Sequence, residues 1–562
     1  MSELTELQGR LLESQNLLLR VKVTLLCPHV GGYSTSPFDP ATNILEPPRP
    51  TELKALWRWW ARVLLSAACG GEKNYEELDK KVGKILGRTG EKASSSLLTL
   101  RISISNLNDA ENLVKKSYYD HLQSYEIITN RLRNLLIDFI RTNSKTKSLP
   151  FLDVKYRSFR SIDIIFKGNC KDIYNAFRNF GLKIKYKNGL CVLSLHSSDD
   201  IRKLEQIANK IGKNYKDLFE KLEKYFTYGT VTRIFMISQP RRGEDKNQAA
   251  FKRKLAAIAA VHDMCKQIKL NLTIDILKSF DYKISLKSLK FALYSFLISL
   301  VFGSIGYASR RGFGSLVIEE ISEGPILNML SIDIKDFTDK IVNLKNEKLP
   351  EKIEKTLWEL LQEAYQSARE YAESCSERED TGIPVVPAAP LKEYFRVKVF
   401  RCKDVCQALC CISKATLKEE WRALAQGKAR RMLHTWILGL PRAVGGYGYF
   451  LDSLGKEPGR RPSAIHFKLF ENINGTFIIV YGFLSKDWPI DSSRIIYHIR
   501  RIGKKKKVSE PVKEIEIAKP NKEEIEAETS EELLYEVFDA AFMFISNVIN
   551  QCKCGEDSHA DR

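Results

Sequence analysis

The stretch Gly303-Ser-Ile-Gly-Tyr-Ala-Ser-Arg-Arg-Gly-Phe-Gly-Ser315 gathers four glycines, two adjacent arginines and three serines between two apolar segments. Glycines let main-chain N–H groups come close to an anion and adopt positive φ, and Arg310 and Arg311 offer fork-shaped donors to phosphate oxygens. The turn has the chemistry of a phosphate-backbone cradle, with Gly306, Ser309, Arg310, Arg311, Gly312 and Gly314 as candidate contacts. Taken alone, it reads equally well as structural punctuation. A second set lies upstream, where Lys54, Arg58 and Arg62 repeat every four residues beside Leu53, Leu56, Trp57, Trp60 and Leu64 at core-facing spacing. That stripe suits phosphate tracking or plain solvation, and Trp59, off the apolar face, suits base stacking or packing on a sheet.

Other chemistry is thinner. Cys402, Cys406 and Cys410 recur every four residues beside Cys411, with His434 downstream. Thiolates one turn apart can share zinc, but the paired short-spacing ligand knuckles are absent and cysteines also pack well in helices, so no metal or cofactor is assigned. There is no P-loop, no Gly-Gly-Asp-Asp and no His-Glu-x-x-His. His262-Asp263 reads as an ordinary helix-surface pair, and His29 beside Gly31-Gly32 as a hydrogen-bonded loop histidine. No catalytic residue is assigned.

The elements that must position these residues follow from patterning. Leu17 to Leu26 alternates like a strand, and after Pro47-Pro-Arg-Pro50 a helix runs from about Glu52 to Ala68 with Thr51 as its cap. Residues 72–270 mix strands (Leu97–Ser105, Ser161–Phe166, Cys191–Leu195, Thr230–Ile237) with lysine-rich helical segments and read as an insertion on a smaller core. A helix over Ser285–Phe302 enters the glycine turn, and Ser315–Ile321 resumes as a strand. Residues 326–390 form a helical linker region ending in a proline cluster, and the second half opens on the strand Tyr394–Arg401. Helical candidates follow at 403–412 and 416–439. Asn472-Ile-Asn-Gly475 then separates two strands, a hairpin signal, and a helix over Leu533–Val548 precedes a polar tail.

At 562 residues more than one domain is expected. The 89 Lys and Arg against 69 Asp and Glu, a net charge of +20, favour a polyanionic partner: nucleic acid first, an anionic membrane surface well behind. Four lysines at 504–507 suit RNA contact or a solvated loop, and no lipid-inserting apolar face adjoins them. The polar, acidic start is unlike a secretory leader, and the longest apolar run, Phe291–Phe302, is too short for a bilayer. The twelve cysteines are thinly spread, so a soluble protein in a reducing cytoplasm is expected.

Three segments in order, Arg49-Pro-Thr-Glu-Leu-Lys-Ala-Leu-Trp-Arg-Trp-Trp-Ala-Arg62, the glycine turn, and Ile437-Leu-Gly-Leu-Pro-Arg442 followed by Arg460-Arg-Pro-Ser463, resemble the RAMP superfamily of CRISPR effector proteins. The fit is to the two-domain subunit at the guide 3′ side of Cmr-type (type III-B) complexes. The resemblance implies an α+β fold of tandem ferredoxin-like, RNA-recognition-like RAMP modules with helical insertions: an N-terminal module over 1–325, a C-terminal one over 391–550, and a tail at 551–562. It also implies an RNA-binding, non-catalytic role in antiviral defence. Expected partners are guide RNA, target RNA, repeated backbone subunits and a second capping subunit. Arg49, Lys54, Arg58, Arg62, Arg310, Arg311, Arg442, Arg460 and Arg461 would contact phosphates. Ala55 stands where the family usually has glycine, so close backbone approach there is not implied. Some RAMP proteins are metal-independent ribonucleases that process precursor guides, and under that alternative His29 is the candidate acid–base residue.

Overall fold

The computed structural model describes residues 16–28, 38–39, 44–45, 47–88, 93–143, 151–158, 161–167, 170–182, 184–187, 190–196, 198–231, 247–279, 284–306, 309–372, 382–391, 393–416, 435–439, 442–444, 447–452, 462–486, 494–498 and 530–552. The elements begin with β1 (Leu17–Leu26), β2 (Phe38–Asp39), β3 (Ile44–Leu45), α1 (Pro50–Ala68), α2 (Tyr75–Leu86), β4 (Leu98–Ile104) and α3 (Leu107–Asn143). They continue with β5 (Phe151–Ser158), β6 (Ser161–Lys167), α4 (Cys170–Arg178), β7 (Ile184–Lys187), β8 (Leu190–Leu195), α5 (Ser198–Lys210), α6 (Lys216–Val231) and α7 (Gln248–Gln267). Then come β9 (Leu270–Lys278), α8 (Leu286–Phe302), β10 (Ser315–Glu323), α9 (Pro325–Met329), α10 (Lys335–Asn343), α11 (Pro350–Ala372), β11 (Phe395–Cys402) and α12 (Val405–Thr416). The last are β12 (Arg442–Val444), β13 (Tyr447–Asp452), β14 (Ile465–Asn472), β15 (Gly475–Phe483), β16 (Arg494–His498) and α13 (Ser530–Asn550). Two compact units result: 1–30 with 48–105 and 269–562, and 31–47 with 106–268.

In the first unit β10-β1-β9-β4 form one antiparallel sheet. With α1 after β1 and α8 after β9, this is the split βαβ order of a ferredoxin-like βαββαβ module. The register of β1 is fixed on both sides by charge. Arg20 gives Asp275, its β9 partner, two hydrogen bonds at 2.7 and 2.9 Å, and Lys22 meets Glu320, its β10 partner, at 2.8 Å. On the covered face Leu19, Val21 and Val23 are buried. The helix α1 begins two residues earlier than Thr51 would allow as a cap. Arg49 is the N-cap, with Glu52 reaching back to its N–H, because Pro50 fits N1, where a missing N–H costs nothing. The apolar helix α8 is capped by Ser285, the residue at which the sequence predicts its start, and Trp57 donates to Ala292 O and Ser295 Oγ, both at 3.0 Å, locking α1 onto it.

A second sheet, β11-β15-β14, repeats the first-third-second strand order of the same module, with α12 following β11 and α13 packed on α12. The hairpin read from Asn472-Ile-Asn-Gly475 is present, with Asn472 opposite Gly475. Among the described residues no fourth strand completes this sheet. A disulfide joins Cys411 of α12 to Cys552 after α13, and another joins Cys170 to Cys191. Thin spacing along the sequence hid both pairs, because only the fold brings partners 141 or 21 residues apart together.

The second unit carries the antiparallel sheet β5-β6-β8-β7 with α3 to α7. It enters between β4 and β9, where a ferredoxin-like module has only a hairpin. Its two ends remain paired in the first unit, Ser105 N–H donating to Asn271 O at 3.1 Å. The sequence-based bounds of 72–270 take in α2 and β4, which belong to the first unit, and residues 391–550 also fall in the first unit. Thr230 and Val231 close α6 rather than open a strand, and 232–237 lie outside the described residues. So do 417–434, the lysines 504–507 and the tail from 553.

A buried lysine ties the two sheets. Lys468 of β14 is 1% exposed, and its Nζ donates to Leu300 O and Val301 O in the last turn of α8, where a helix leaves carbonyls unpaired. Burial holds its pKa well below 10.5. Between that lowered pKa and 10.5 the unfolded chain binds the proton and the native chain does not, so this residue makes stability rise with pH across the window. Lys468→Met should remove that rise. Denaturant midpoints of both proteins measured across the alkaline range check it, and parallel pH profiles would refute it.

Candidate nucleic-acid interface

The glycine turn is stitched into the fold by its own backbone. A Cβ at Gly303 would meet Ser299 O at 2.1 Å and Leu56 Cδ2 at 2.4 Å, so glycine lets the end of α8 close on α1. Gly314 has φ +62°, and a Cβ there would lie 1.9 Å from Ile305 O. Its N–H donates to Cys27 O and its carbonyl accepts from Ile305 N–H, both at 2.9 Å. On the other side Arg310 O accepts from Phe467 N–H at 3.0 Å, and Ser315 Oγ accepts from Leu469 N–H at 2.9 Å, so the turn lies along the edge of β14. Gly312 and Gly314 are buried; Gly306, Ser309, Arg310 and Arg311 are half-buried. What the turn can offer a phosphate is therefore mainly its arginine side chains.

The basic stripe on α1 divides. Arg58 and Arg62 each reach Asp79 of α2 at 2.8 Å, Arg88 stands 3.9 Å from the same carboxylate, and Arg58 also donates to Gly87 O. Burial pushes the Asp79 carboxyl up, but the two guanidiniums outweigh it and hold it below its ordinary value. Three cations on one carboxylate leave a net positive cluster. Lys54 has no carboxylate partner among the described residues, and burial first, then Arg58, lowers its pKa. An external anion would relieve both effects. Arg49 is half-buried at the N-cap, and Ala55 is exposed.

These motifs converge on one cleft, lined by Trp59, Tyr75, Arg310, Pro462, Ser463 and His466 among others. Trp59 packs edge-on to Phe483 at 5.3 Å and stacks on His466 at 5.8 Å and 25°, the sheet-packing role expected of it. Arg62 lies 6.0 Å from the Tyr75 ring, carrying the charge of α1 to the cleft rim. His466 bonds Ser463 O at 3.0 Å, and burial, with Arg310 adding to it, holds its pKa well below 6.5. It is a neutral aromatic surface at pH 7. Tyr75 and His466 carry no motif of their own, and only the fold reveals them. Pro462 and Ser463 close the segment that contains Arg460 and Arg461, which themselves lie outside the described residues; Arg442 opens β12.

The remaining candidates are settled less evenly. His29 and His434 lie outside the described residues. Asp263 is no surface residue: on α7 it accepts from Ser117 at 2.8 Å and pairs with the buried His121 of α3 at 2.9 Å. The helix spacing that sets Asp263 against α3 was not visible in a two-residue motif. In the cysteine group Cys410 and Cys411 are disulfide-bonded, and burial, with Asp404 adding to it, pushes the Cys402 thiol up to about 12. That chemistry does not suit thiolate ligation.

Residues 46–317 match the family described as RAMP superfamily. The "CRISPR system CMR subunit Cmr1" of Saccharolobus solfataricus is 26% identical over 318 residues, covering 54% of this chain and 55% of that protein. The chain thus spans about half the length of this curated relative. Among solved structures, a type III-B Cmr-beta complex bound to cognate target RNA and AMPPnP aligns at 17% identity and a TM-score of 0.43, over 95% of this chain and 100% of the matched one. Cmr1 from Pyrococcus furiosus aligns at 12% identity and 0.32, over 87% and 91%. The matched span takes in the tryptophan helix α1, α2, β4, the inserted residues, β9, α8 and the first three residues of β10, with β1 outside it, and over those residues the chain is similar to the RAMP superfamily.

Proposed function

We propose that this chain is an RNA-binding, non-catalytic subunit of a type III-B CRISPR effector ribonucleoprotein in antiviral defence. It contacts the 3′ region of the guide RNA and the target RNA, and works in the cytoplasm beside repeated backbone subunits and a second capping subunit. The observation that carries this reading is the meeting of three sequence-distant motifs, through Trp59, Arg310 and Pro462-Ser463, at one cleft with a cationic rim. Phosphates would be held by Arg310, Arg311 and Lys54, with Arg49, Arg442, Arg460 and Arg461 extending the track. Sequence specificity would come from the guide. The similarity to a protein named as a Cmr1 subunit supports the assignment, and no helix among the described residues is long and apolar enough to cross a membrane.

Replacing Arg310 and Arg311 with Ala should weaken RNA binding and flatten its log–log salt dependence by up to about 2, since each lost phosphate contact removes about 0.7–0.9. The fold should hold, because the bond to Phe467 uses the Arg310 carbonyl. An unchanged salt titration would sink the reading.

The stripe on α1 gives a contrasting pair. Lys54→Ala should lower RNA affinity with stability changed by less than about 0.5 kcal/mol. Arg58→Ala should cost about 1–2 kcal/mol of stability, because Asp79 and Gly87 O lose a partner. Equal behaviour of the two in paired melts and titrations would reject the division.

For catalysis, labelled repeat RNA incubated with the protein in EDTA should stay intact. Cleavage abolished by His29→Ala would replace this reading with precursor-guide processing.

A further inference from the structure

The second unit carries most of the chain's charge surplus. Residues 31–47 and 106–268 hold 31 Lys and Arg against 19 Asp and Glu, an excess of 12 out of the chain's 20. Within it, Lys167, Lys171, Arg178, Lys183, Lys185 and Lys187 are opposed over that span by a single acid, Asp172. The described residues of this run fall on one helix and the strands beside it. The helix α4 packs beside β7 and β8 and is stapled to β8 by Cys170–Cys191, while β7 is the edge strand of its sheet. Lys171, Arg178 and Lys185 are exposed, and Arg178 and Lys185 have no carboxylate partner among the described residues. Two aromatic rings are exposed on the same elements: Tyr174, between Lys171 and Arg178 on α4, is 46% exposed, and Tyr186 on β7, on the sheet face opposite to Lys185, is 73% exposed. From α5, Lys210 stands 5.4 Å from the Phe180 ring at the turn after α4.

A solvated charge face mixes signs, and a guarded sheet edge needs lysine but not exposed tyrosine. Cations interleaved with free aromatic faces suit a strand whose phosphates are tracked and whose unstacked bases find rings, which a duplex does not offer. We propose that the α4–β7 edge of the inserted unit is a second contact for single-stranded RNA, with Tyr174 and Tyr186 as stacking platforms and Lys171, Arg178 and Lys185 on phosphates. The inference rests on the reading of the chain as RNA-binding and adds a site outside its three motifs.

The test uses the full chain and a labelled oligouridylate of about 20 nucleotides, longer than a single stacking site. Joint Lys171→Glu, Arg178→Glu and Lys185→Glu replacement should weaken binding at least about tenfold and flatten the salt slope by about 2. Tyr186→Ala should weaken single-strand binding about fivefold or more and leave duplex RNA binding unchanged. Photocrosslinking of a thiouridine-substituted strand to the unmutated protein should mark the peptide containing Tyr186, a readout that needs no variant to fold. Wild-type titrations for the triple variant, or equal losses on single strand and duplex, overturn the inference. A variant that keeps RNA binding but no longer co-purifies with a protein partner overturns it in favour of a protein surface. If Arg310→Ala with Arg311→Ala flattens the slope while the triple variant does not, this inference alone fails; if the unmutated chain binds no RNA, both readings fail.

Discussion

The first unit depends on the seam between the end of α8, the glycine turn and the edge of β14. The second sheet lacks a fourth strand among the described residues, so an edge of unpaired N–H and C=O groups would face outward. The turn supplies partners instead: Arg310 O takes the Phe467 N–H, Ser315 Oγ takes the Leu469 N–H, and Lys468 fills the carbonyls at the end of α8. Each is buried or half-buried, where an unmade hydrogen bond costs the full desolvation of the group. The two modules are held in one register, and that register sets Trp59 of the first module against His466 of the second.

This explains why a turn that looks designed for phosphate commits the N–H groups of Ile305 and Gly314 inside the protein. Close approach is needed, but the approaching partners are Ile305 O, Ser299 O and Leu56. On the proposed reading phosphate contact falls to side chains instead, to Arg310, which lines the cleft, and to the α1 cluster. That cluster stays positive because Asp79 neutralises only one of the three guanidiniums around it. A structural ion pair and a cationic surface thus coexist: the carboxylate fixes the arginines in place while their excess charge remains for a polyanion.

How much of this was legible in the sequence depended on the range of the interaction involved. The helix α8 announced itself through the apolar run Phe291–Phe302 ending at Gly303, and the β14–β15 hairpin through Asn472-Ile-Asn-Gly475, because both signals are local. The strand β1 showed its alternation, although its charge partners Asp275 and Glu320 lie about 250 and 300 residues away and could not be read. Neither Asp79 nor His466 carries a local signal of its own. The first gathers arginines and the second stacks on Trp59 only when α2 and β14 are folded against α1. The edge strand β7 escaped notice for the opposite reason: it is four residues long and lysine-rich, so composition masked its alternation.

The position of the insertion follows from the same seam. Of the connections in the first module, α8–β10 carries the turn at the seam, and lengthening it would disturb Arg310. The β4–β9 connection lies at the far edge of the sheet from β10, and there the ladder between Ser105 and Asn271 holds the ends together whatever chain runs between them. Loop closure grows only slowly with length, so a folded unit costs little more there than a hairpin. Freed from the packing demands of the core, that unit can carry 12 of the 20 excess positive charges. Charge that would destabilise a shared core by self-repulsion is tolerated on a separate body, and there it remains available to a polyanion.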